Sequence, residues 1–390
     1  MVKTSRKFEN IPPYLFAEID KMKAAAKTKG IDIINLGIGD PDQPTFKRII
    51  DVMHDAIEKP ENHNYPPYEG TASYRSAVSA WYKKRFNVDL DPDEEVISLI
   101  GSKEGIAHLF YAYIDPGDIV LVPSPGYPVY KMGTILTDGV PFFVPLLEEN
   151  GYLPDLDAIP ADVVKKAKIM FVNYPNNPTA ATADLAFYQK LVDWAKENDV
   201  LIASDLAYSE MCYDGYVAPS ILEAKGAKDV AIEFHSLSKS FNMTGWRIAM
   251  AVGNKEAVQA LGTIKTNVDS GIFKAIQDAG IEALTNPAPE IAETNEIYKE
   301  RRDVIIEGLQ SMGLDIKPIK CTFYIWAPVP KGISSSAFVA KMLNECGIVV
   351  VPGNGYGPEG EGYFRMALTE KISRLKEAIQ RMKDNGISFK

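Results

Sequence analysis

Seven short apolar runs dominate the first two thirds of the chain and constrain its fold more than any other feature. Each run has five or six residues, is rich in β-branched side chains, and is typical of a strand buried on both faces of a parallel sheet. The runs cover residues 96–100, 119–123, 140–145, 169–173, 200–204, 230–235 and 248–252. Helical patterns lie between most of them, so the sequence predicts an α/β fold with a seven-stranded, mostly parallel sheet.

Amphipathic patterns predict the helices. Residues 71–86 and 183–198 each place their apolar side chains on one helical stripe, as expected of helices that cover a sheet. Toward the C-terminus strands become sparse, and long helical patterns occupy residues 295–312 and 372–383. Gly386 is expected to end the last of these helices, since glycine readily adopts the left-handed backbone found there.

This distribution of elements predicts two domains. With 390 residues, of which 46% are hydrophobic, the chain can bury more than one core. We expect a large domain over residues 47–285 and a smaller α/β domain over residues 286–390. Residues 1–46 contain four prolines and are expected to form an N-terminal arm and part of the small domain.

Charge and composition exclude several classes of function. The net charge of −10 and the scattered lysines and arginines argue against a nucleic acid partner. No run of about 18 apolar residues predicts a membrane span, and residues 1–10 lack the apolar segment of a signal peptide, so we expect a cytoplasmic protein. Cys212, Cys321 and Cys346 are too widely spaced for a metal or redox motif, and we interpret them as reduced thiols. No metal site is predicted.

Chemically suggestive residues follow the carboxyl ends of the predicted strands, the edge at which open α/β sheets bind ligands. The first strand leads into Gly101-Ser102-Lys103 and a helix expected to begin near Glu104, which together form an anion site. The residues that follow later strands are Tyr127, Asn177, Asp205, Tyr208, Ser236, Ser238, Lys239 and Arg247. Each alone is better explained as a cap, a turn or a solvated loop. Together they offer an anion nest, a stacking ring, an acid, hydroxyl donors and a lysine, a set that fits a phosphorylated aromatic aldehyde.

Three stretches of this constellation resemble the class I and II aminotransferases of pyridoxal-5'-phosphate (PLP) fold type I. They are Ser236-Leu237-Ser238-Lys239 with Arg247, Asn176-Asn177-Pro178-Thr179, and Asp205-Leu206-Ala207-Tyr208. The resemblance covers nearly the whole chain and implies a PLP-dependent aminotransferase with an aspartate aminotransferase-like fold. It implies that Lys239 carries PLP as a Schiff base and that Asp205 pairs with the pyridinium nitrogen. The other implied contacts are Tyr127 with the ring face, Asn177 and Tyr208 with the phenolate oxygen, and Ser102, Lys103, Ser236, Ser238 and Arg247 with the phosphate.

The chemistry of these residue types agrees with the implied roles. An aspartate beside the ring nitrogen favours its protonated form, which lets the ring withdraw electrons from the substrate α-carbon. Lys239, once displaced by the substrate amine, is suited to move a proton as general base and acid. The planar fork of Arg247 can bond two phosphate oxygens together.

The same resemblance assigns residues to the substrate and to a partner subunit. Arg365 resembles the family's arginine that binds the substrate α-carboxylate. Gly39 lies in a stretch that resembles the family's loop facing that arginine. Tyr65, five residues before Gly70, matches a tyrosine that the family extends to the phosphate of the neighbouring subunit. We therefore expect a homodimer with shared active sites, acting on amino acids and 2-oxo acids.

Several local stretches resemble one branch of the family, the LL-diaminopimelate aminotransferases. They are Pro13-Tyr14-Leu15-Phe16 and residues 100–105, 233–240 and 242–247. This likeness implies amino transfer between LL-diaminopimelate and 2-oxoglutarate in lysine biosynthesis, with Tyr14 in contact with the substrate. The distal acid and distal asparagine of that branch correspond to Tyr68 and Gly271 here, so we expect the adjacent Glu69 to meet the distal ammonium group instead.

Three local features extend or limit the resemblance. Ala180 replaces the glycine that usually follows Asn-Pro-Thr, so the sequence does not determine the backbone conformation of that turn. The Gly353-Asn354-Gly355-Tyr356-Gly357 stretch lacks the βαβ surroundings of a dinucleotide site, and we expect a loop of the small domain. The Ser124–Pro125 and Asn177–Pro178 bonds are expected to be cis, as in the family.

Four other functions compete with this interpretation. A PLP-dependent carbon–sulfur lyase would use the same Lys239 and Asp205, and a broad aspartate or alanine aminotransferase would share every cofactor residue. A PLP-sensing transcription regulator requires a DNA-binding module, for which no room exists before Tyr65. A catalytically inactive binding protein is disfavoured because no cofactor position is replaced.

Overall fold

A computed structural model describes residues 2–9, 11, 23–24, 28, 30–286 and 289–390. Its strands are β1 (Ile34–Asn35), β2 (Val96–Leu99), β3 (Ile119–Ser124), β4 (Val140–Pro145), β5 (Ala167–Val172), β6 (Leu201–Asp205), β7 (Ala231–Ser236), β8 (Ala249–Gly253), β9 (Tyr324–Pro328), β10 (Ile348–Val349), β11 (Val351–Pro352) and β12 (Tyr363–Ala367). Its α-helices are α1 (Arg6–Glu9), α2 (Lys47–Ile57), α3 (Ala72–Phe86), α4 (Ser102–Tyr113), α5 (Pro128–Leu136), α6 (Ala161–Val164), α7 (Leu185–Asn198), α8 (Leu237–Ser240), α9 (Lys255–Val268), α10 (Lys274–Thr285), α11 (Pro289–Ser311), α12 (Ser335–Cys346) and α13 (Ile372–Asp384).

The seven predicted strands form one sheet with the order β2-β8-β7-β6-β5-β3-β4, which confirms the predicted fold class. The sequence pattern marked all seven as parallel-type strands, and for β8 this was wrong. β8 runs antiparallel to both of its neighbours, with Val96 opposite Val252 and Ile232 opposite Gly253. The segment that joins β7 to β8 contains only one helical turn and a 3-10 turn. It is too short to carry the chain back to the other end of the sheet, so β8 begins at the end where β7 stops and runs in the opposite direction.

Local capping interactions fix the starts of α3 and α7 within two residues of the predicted positions, whereas α11 begins at Pro289, six residues before the predicted position 295. Thr71 caps α3 by accepting a hydrogen bond from the backbone N–H of Tyr74 at 3.2 Å. Asp184 caps α7 in the same way, so that helix begins at Leu185 and not at 183. α4 begins at Ser102, two residues before the predicted start, directly after Gly101 with its φ of 87°.

The C-terminal part builds a second layer structure. β11, β12 and β9 form an antiparallel sheet, and β1 pairs in parallel with β10, with Ile34 opposite Ile348. Ile34 and Leu36 pack into the same hydrophobic cluster as α11, α12 and α13. Gly386 follows α13 with a φ of 66°, the left-handed conformation predicted for it. The chain before the large sheet thus contributes a strand to the C-terminal layer, and the predicted domain limits remain a prediction.

The described helices are too short or too polar to cross a membrane. The Gly353–Tyr356 stretch forms a 3-10 turn beside β12, as expected for a loop.

Candidate active site

One cavity of about 450 Å³ lies at the carboxyl edge of the large sheet. It is lined by twelve of the residues that the sequence singled out, namely Gly39, Ser102, Lys103, Tyr127, Asn177, Asp205, Tyr208, Ser236, Ser238, Lys239, Arg247 and Arg365. The antiparallel direction of β8 explains the position of Arg247, which precedes the amino end of that strand and therefore lies on the same edge as Lys239.

Lys239 lies on the single-turn helix that follows β7. The Ser236 side chain caps this turn by accepting a hydrogen bond from the backbone N–H of Ser238 at 3.1 Å. The Lys239 Nζ donates a hydrogen bond to the carbonyl oxygen of Gly39 at 2.7 Å. Burial lowers the pKa of Lys239 to about 8, an effect that Asp40 opposes and that Arg365 and Arg247 reinforce. The amine therefore changes protonation near neutral pH.

Asp205 ends β6 at the floor of the cavity. Its Oδ2 accepts a hydrogen bond from the Tyr130 hydroxyl at 2.8 Å. Its Oδ1 is buried and accepts no hydrogen bond of normal geometry from the described residues. Burial raises the pKa of Asp205 to about 6, although the hydrogen bonds of Tyr130 and of the Ala207 backbone partly offset this effect. A buried carboxyl oxygen without a donor calls for a cationic or N–H partner from outside the chain.

The start of α4 and Arg247 form an anion-binding concavity. Arg247 Nη1 donates to the carbonyl oxygen of Thr244 at 2.8 Å, and Nη2 reaches the carbonyl oxygen of Ile100 at 3.4 Å. A Cβ atom on Gly101 would lie 2.0 Å from Nη2, so only glycine permits this approach. The Ser102 hydroxyl at the helix start is buried without a partner among the described residues. An unused hydroxyl, the N-terminus of a helix and a guanidinium are the donors that a phosphate requires.

Two residues behind this concavity hold its backbone in place. Glu104 accepts a hydrogen bond from the Ile100 backbone N–H at 2.9 Å and one from the Lys265 ammonium at 3.0 Å. Lys265 is fully buried and also binds Asp269. The strand-to-helix turn is therefore fixed by charge-assisted bonds before any ligand arrives.

Arg365 enters the cavity from β12 and is almost completely buried. It donates hydrogen bonds to Asn177 Oδ1 at 2.9 Å and to the Gly37 carbonyl oxygen at 2.7 Å. Its guanidinium lies 4.1 Å from the centre of the Tyr324 ring. Arg365 thus connects the C-terminal sheet, the large sheet and the chain before the large sheet at one point.

Aromatic residues form the remaining walls. The hydroxyls of Tyr208 and Tyr324 lie 3.2 Å apart. Tyr127 packs edge to face against Tyr130, with 6.0 Å between the ring centres. The partly buried Tyr127 lines the cavity, so an aromatic face is available to a planar ligand.

The loop that carries Asn177 has an unusual backbone. The Ser124–Pro125 and Asn177–Pro178 bonds are cis, as predicted, and Tyr174–Pro175 is a further cis bond that the sequence did not indicate. Ala180 has a φ of 58°, the left-handed region that favours glycine. The turn therefore keeps a glycine-type conformation with alanine in its place.

Two predicted residues, Tyr65 and Glu69, lie outside the cavity. Tyr65 is 87% exposed, and Glu69 is exposed with an ion pair of 3.9 Å to Arg75. Tyr14 lies outside the described residues, so the structure says nothing of its predicted contact. Gly271, at the position of the distal asparagine, has a φ of 77° and packs against the backbone of Pro67.

Sequence reasoning missed several residues that shape the site. Tyr130 bonds Asp205, Tyr324 bonds Tyr208, and Asn173 Nδ2 donates to the Asp205 carbonyl oxygen at 2.6 Å. Tyr130 follows Tyr127 at a spacing of three residues within a helical pattern, which is the one signal that could have pointed to it.

The donor set fits PLP. The buried Asp205 oxygen can receive a protonated ring nitrogen, and the Ser102, Arg247 and helix N–H donors can hold a phosphate. Lys239 provides an amine of near-neutral pKa, as an imine-forming lysine requires. Fold and site together define a PLP-dependent enzyme.

Comparisons with known proteins assign the family. Residues 31–382 match the family model described as "Aminotransferase class I and II". The chain is 57% identical to the LL-diaminopimelate aminotransferase of Aquifex aeolicus and 56% identical to that of Halothermothrix orenii, in each case over 98% of this chain and 99% of the relative. The solved structure of substrate-bound BacF from Bacillus subtilis has a TM-score of 0.96 at 36% identity, covering 100% of this chain and 99% of that one. A Thermus thermophilus aspartate aminotransferase mutant has a TM-score of 0.92 at 28% identity, covering 99% and 100%.

The chain therefore belongs to the class I and II aminotransferases, and it is a PLP-dependent transaminase. The family, the fold class and the cofactor predicted from the sequence are confirmed. Enzymes of this family act on amino acids and 2-oxo acids.

Proposed function

We propose that this transaminase moves an amino group between LL-diaminopimelate and 2-oxoglutarate in lysine biosynthesis. The observation that carries the proposal is the identity of 57% to a relative of that name over nearly the full length of both chains. Further relatives of the same name match at 52–56% identity. Substrate specificity depends on many pocket contacts, and identity at this level favours their retention.

The cofactor contacts in this proposal are those that the family resemblance implies, and the shared cavity lining supports them. Ser102, Lys103, Ser236, Ser238 and Arg247 hold the phosphate, Tyr127 covers the ring, and Asn177 and Tyr208 bond its phenolate oxygen. Asp205 holds the protonated ring nitrogen with the oxygen that has no donor of its own. When bound, PLP supplies the electron-withdrawing ring that makes the substrate α-carbon acidic.

Proton movement is the task of Lys239. Because burial lowers its pKa to about 8, the neutral amine that can take the α-carbon proton is more readily available than it would be for an exposed lysine. The same Nζ can then deliver that proton to the neighbouring carbon atom. The hydrogen bond to the Gly39 carbonyl oxygen holds Nζ on the substrate side of the cavity until the cofactor and substrate replace it.

Arg365 binds the substrate α-carboxylate and so orients the α-carbon. Hydrogen bonds to Asn177 and Gly37 already fix its side chain. The Gly39 backbone forms the facing wall of the carboxylate pocket in this proposal. A Cβ atom on Gly39 would lie 1.9 Å from the Tyr324 hydroxyl, so this wall admits only glycine.

Each active site is completed by Tyr65 of a second subunit in our proposal. Tyr65 is 87% exposed, which is unusual for a tyrosine and fits a contact with a partner. Mixing Lys239→Ala and Tyr65→Phe subunits should give hybrid dimers with one site intact at both positions. Activity above that of both parents is the expected result, and no recovery after proven subunit exchange would contradict sharing.

Glu69 provides the distal contact in this proposal. It is exposed and lies one residue from Tyr68, which occupies the position of the branch's distal acid. Loss of one charge-assisted bond costs roughly 1.5 to 3 kcal/mol, which corresponds to about tenfold or more in kcat/KM. Glu69→Gln should therefore impair LL-diaminopimelate use and spare aspartate and alanine.

Steady-state assays with 2-oxoglutarate and the three donors test this proposal. Glu61→Gln removes a nearby exposed acid of the same type and serves as the matched control. The unmodified enzyme should prefer LL-diaminopimelate clearly. A preference for aspartate or alanine would instead support a broad aminotransferase, and Tyr68 and Gly271 at the two distal positions would then be the departures that account for it.

A further inference from the structure

Two cysteines far apart in the chain meet beside the active site. Cys212 follows β6 and Cys321 precedes β9, 109 residues later, yet their Sγ atoms lie 3.0 Å apart. All three cysteines of the chain are free thiols, and no role in transamination involves this pair. The sequence interpretation found no redox motif because it considered only cysteines close in sequence.

The backbone already has the geometry that a disulfide needs. Cys212 and Cys321 form an isolated antiparallel β-bridge. The flanking hydrogen bonds run from the Tyr213 N–H to the Lys320 carbonyl oxygen at 2.8 Å and from the Thr322 N–H to the Met211 carbonyl oxygen at 2.9 Å. The cysteines are therefore a non-hydrogen-bonded pair, for which Cα atoms are typically about 4.5 Å apart, within the range that disulfides span.

The bridge joins two segments that carry cavity residues. Tyr208 lies four residues before Cys212, and Tyr324 lies three residues after Cys321. Arg302 of α11 fastens the same two segments from outside, since it bonds Asp214 at 2.6 Å and the Ile319 carbonyl oxygen at 2.9 Å. A covalent link at this bridge would hold together the two walls whose tyrosine hydroxyls meet.

We propose that Cys212 and Cys321 are a reversible dithiol–disulfide pair that covalently joins these two segments under oxidising conditions. A small-molecule disulfide such as glutathione disulfide is the oxidant. The Cys212 thiol loses its proton and attacks one sulfur of that disulfide, whose S–S bond breaks and releases one thiol. The Cys321 thiol then gives its proton to the second leaving thiolate as its sulfur attacks that of Cys212. The protein loses two electrons and two protons, and the small disulfide becomes two thiols.

The order of the two steps follows from burial. Cys212 is partly exposed, whereas Cys321 is fully buried. Burial raises the pKa of the Cys321 thiol, which disfavours its thiolate and its direct reaction with an oxidant in solution. Cys212 is therefore the entry point and Cys321 the resolving thiol, within reach before the reaction begins.

Cys346 provides an internal control. It is buried at the end of α12 and has no cysteine partner in the described ranges. A Cys346→Ser variant should form the same cross-link as the unmodified enzyme, whereas Cys212→Ser and Cys321→Ala should form none. The Cys212 variant changes only a partly exposed thiol, so it keeps the test valid even if the buried Cys321 variant folds poorly.

The experiment treats the holoenzyme with glutathione disulfide, blocks remaining thiols, and maps peptides by mass spectrometry before and after dithiothreitol. A Cys212–Cys321 peptide and a melting temperature raised by roughly 5 °C are expected, because a bridge over a loop this long restricts the unfolded chain. Both changes should reverse with dithiothreitol. The oxidised holoenzyme should also retain transaminase activity after heating that inactivates the reduced form.

Three results would overturn the proposal. One is a stable mixed disulfide of glutathione at Cys212 without closure to Cys321. Another is complete resistance of both thiols to the oxidant. The third is a closed bridge that leaves the melting temperature unchanged or lowers it.

Discussion

Replacing Asp205 with asparagine should stabilise the cofactor-free protein while impairing the enzyme. The pKa of this buried carboxyl is raised from 3.8 to about 6, so the folded protein binds its proton more tightly than the unfolded chain does. The ionised form consequently destabilises the fold, and the stability associated with the protonated form is lost as pH rises from about 4 through 6. At pH 8 this amounts to about 3 kcal/mol.

Asparagine removes this penalty with little change in shape. Its amide oxygen can accept the hydrogen bond from Tyr130, and its uncharged amino group takes the place of the buried Oδ1. The Asp205→Asn apoprotein should be more stable than the unmodified apoprotein by about 3 kcal/mol at pH 8, and the difference should vanish near pH 4. Urea unfolding of both apoproteins between these pH values measures it.

Activity should change in the opposite direction. Loss of an opposite charge beside a protonated nitrogen lowers its pKa by roughly 1 to 3 units, so the protonated fraction and the rate should fall by up to about 10- to 1000-fold, with the full factor at a pH above both pKa values. If the unfolding free energies of the Asp205→Asn and unmodified apoproteins run parallel against pH, the electrostatic reasoning is refuted. Equal losses of stability and activity would give Asp205 a structural role.

Three further predictions concern other residues. Lys239→Ala should reduce transamination by at least roughly 10²- to 10⁴-fold in single-turnover assays, because it removes the amine that we propose moves the proton; near-normal turnover would contradict the assignment. Glu233 is fully buried, accepts bonds from Tyr82 and Ser220, and has a pKa raised to about 7, so wild-type stability should decline as pH rises from 4.5 through 7. Glu233→Gln should flatten the dependence of the unfolding free energy on pH in this range. If urea unfolding gives the same pH dependence for the variant and the unmodified protein, Glu233 is not the cause of the decline. Ala180→Gly should raise the free energy of unfolding by roughly 0.5 to 1 kcal/mol, since glycine relieves a left-handed φ, and a destabilised variant would show that Ala180 is not strained.

The sequence predicted the features that local patterns determine. Apolar runs of strand length marked the sheet, and amphipathic stripes placed the starts of α3 and α7 within two residues of the observed ones. Site residues were also predictable where they follow directly from strand ends, because parallel strands deliver their carboxyl ends to one edge. Asp205 and Lys239 belong to this group.

What the sequence did not indicate depends on tertiary neighbours. The bond between Tyr130 and Asp205 spans 75 positions, and that between Tyr208 and Tyr324 spans 116. Tyr324 occurs in no pattern that distinguishes it from a core residue, and the spacing from Tyr127 to Tyr130 alone does not show which side chain Tyr130 contacts. The direction of β8 was missed for a related reason, since an apolar run has the same composition in both directions.

The fixed position of Arg365 has a consequence for the entropy of substrate binding. An arginine side chain carries about 2 kcal/mol of rotamer entropy, which is lost when the side chain becomes ordered. Here Asn177, Gly37 and the Tyr324 ring hold the guanidinium before any substrate is present. The loss occurs during folding, and an arriving carboxylate meets donors that are already oriented. A freely rotating arginine at this position would bind the same carboxylate roughly 30-fold more weakly.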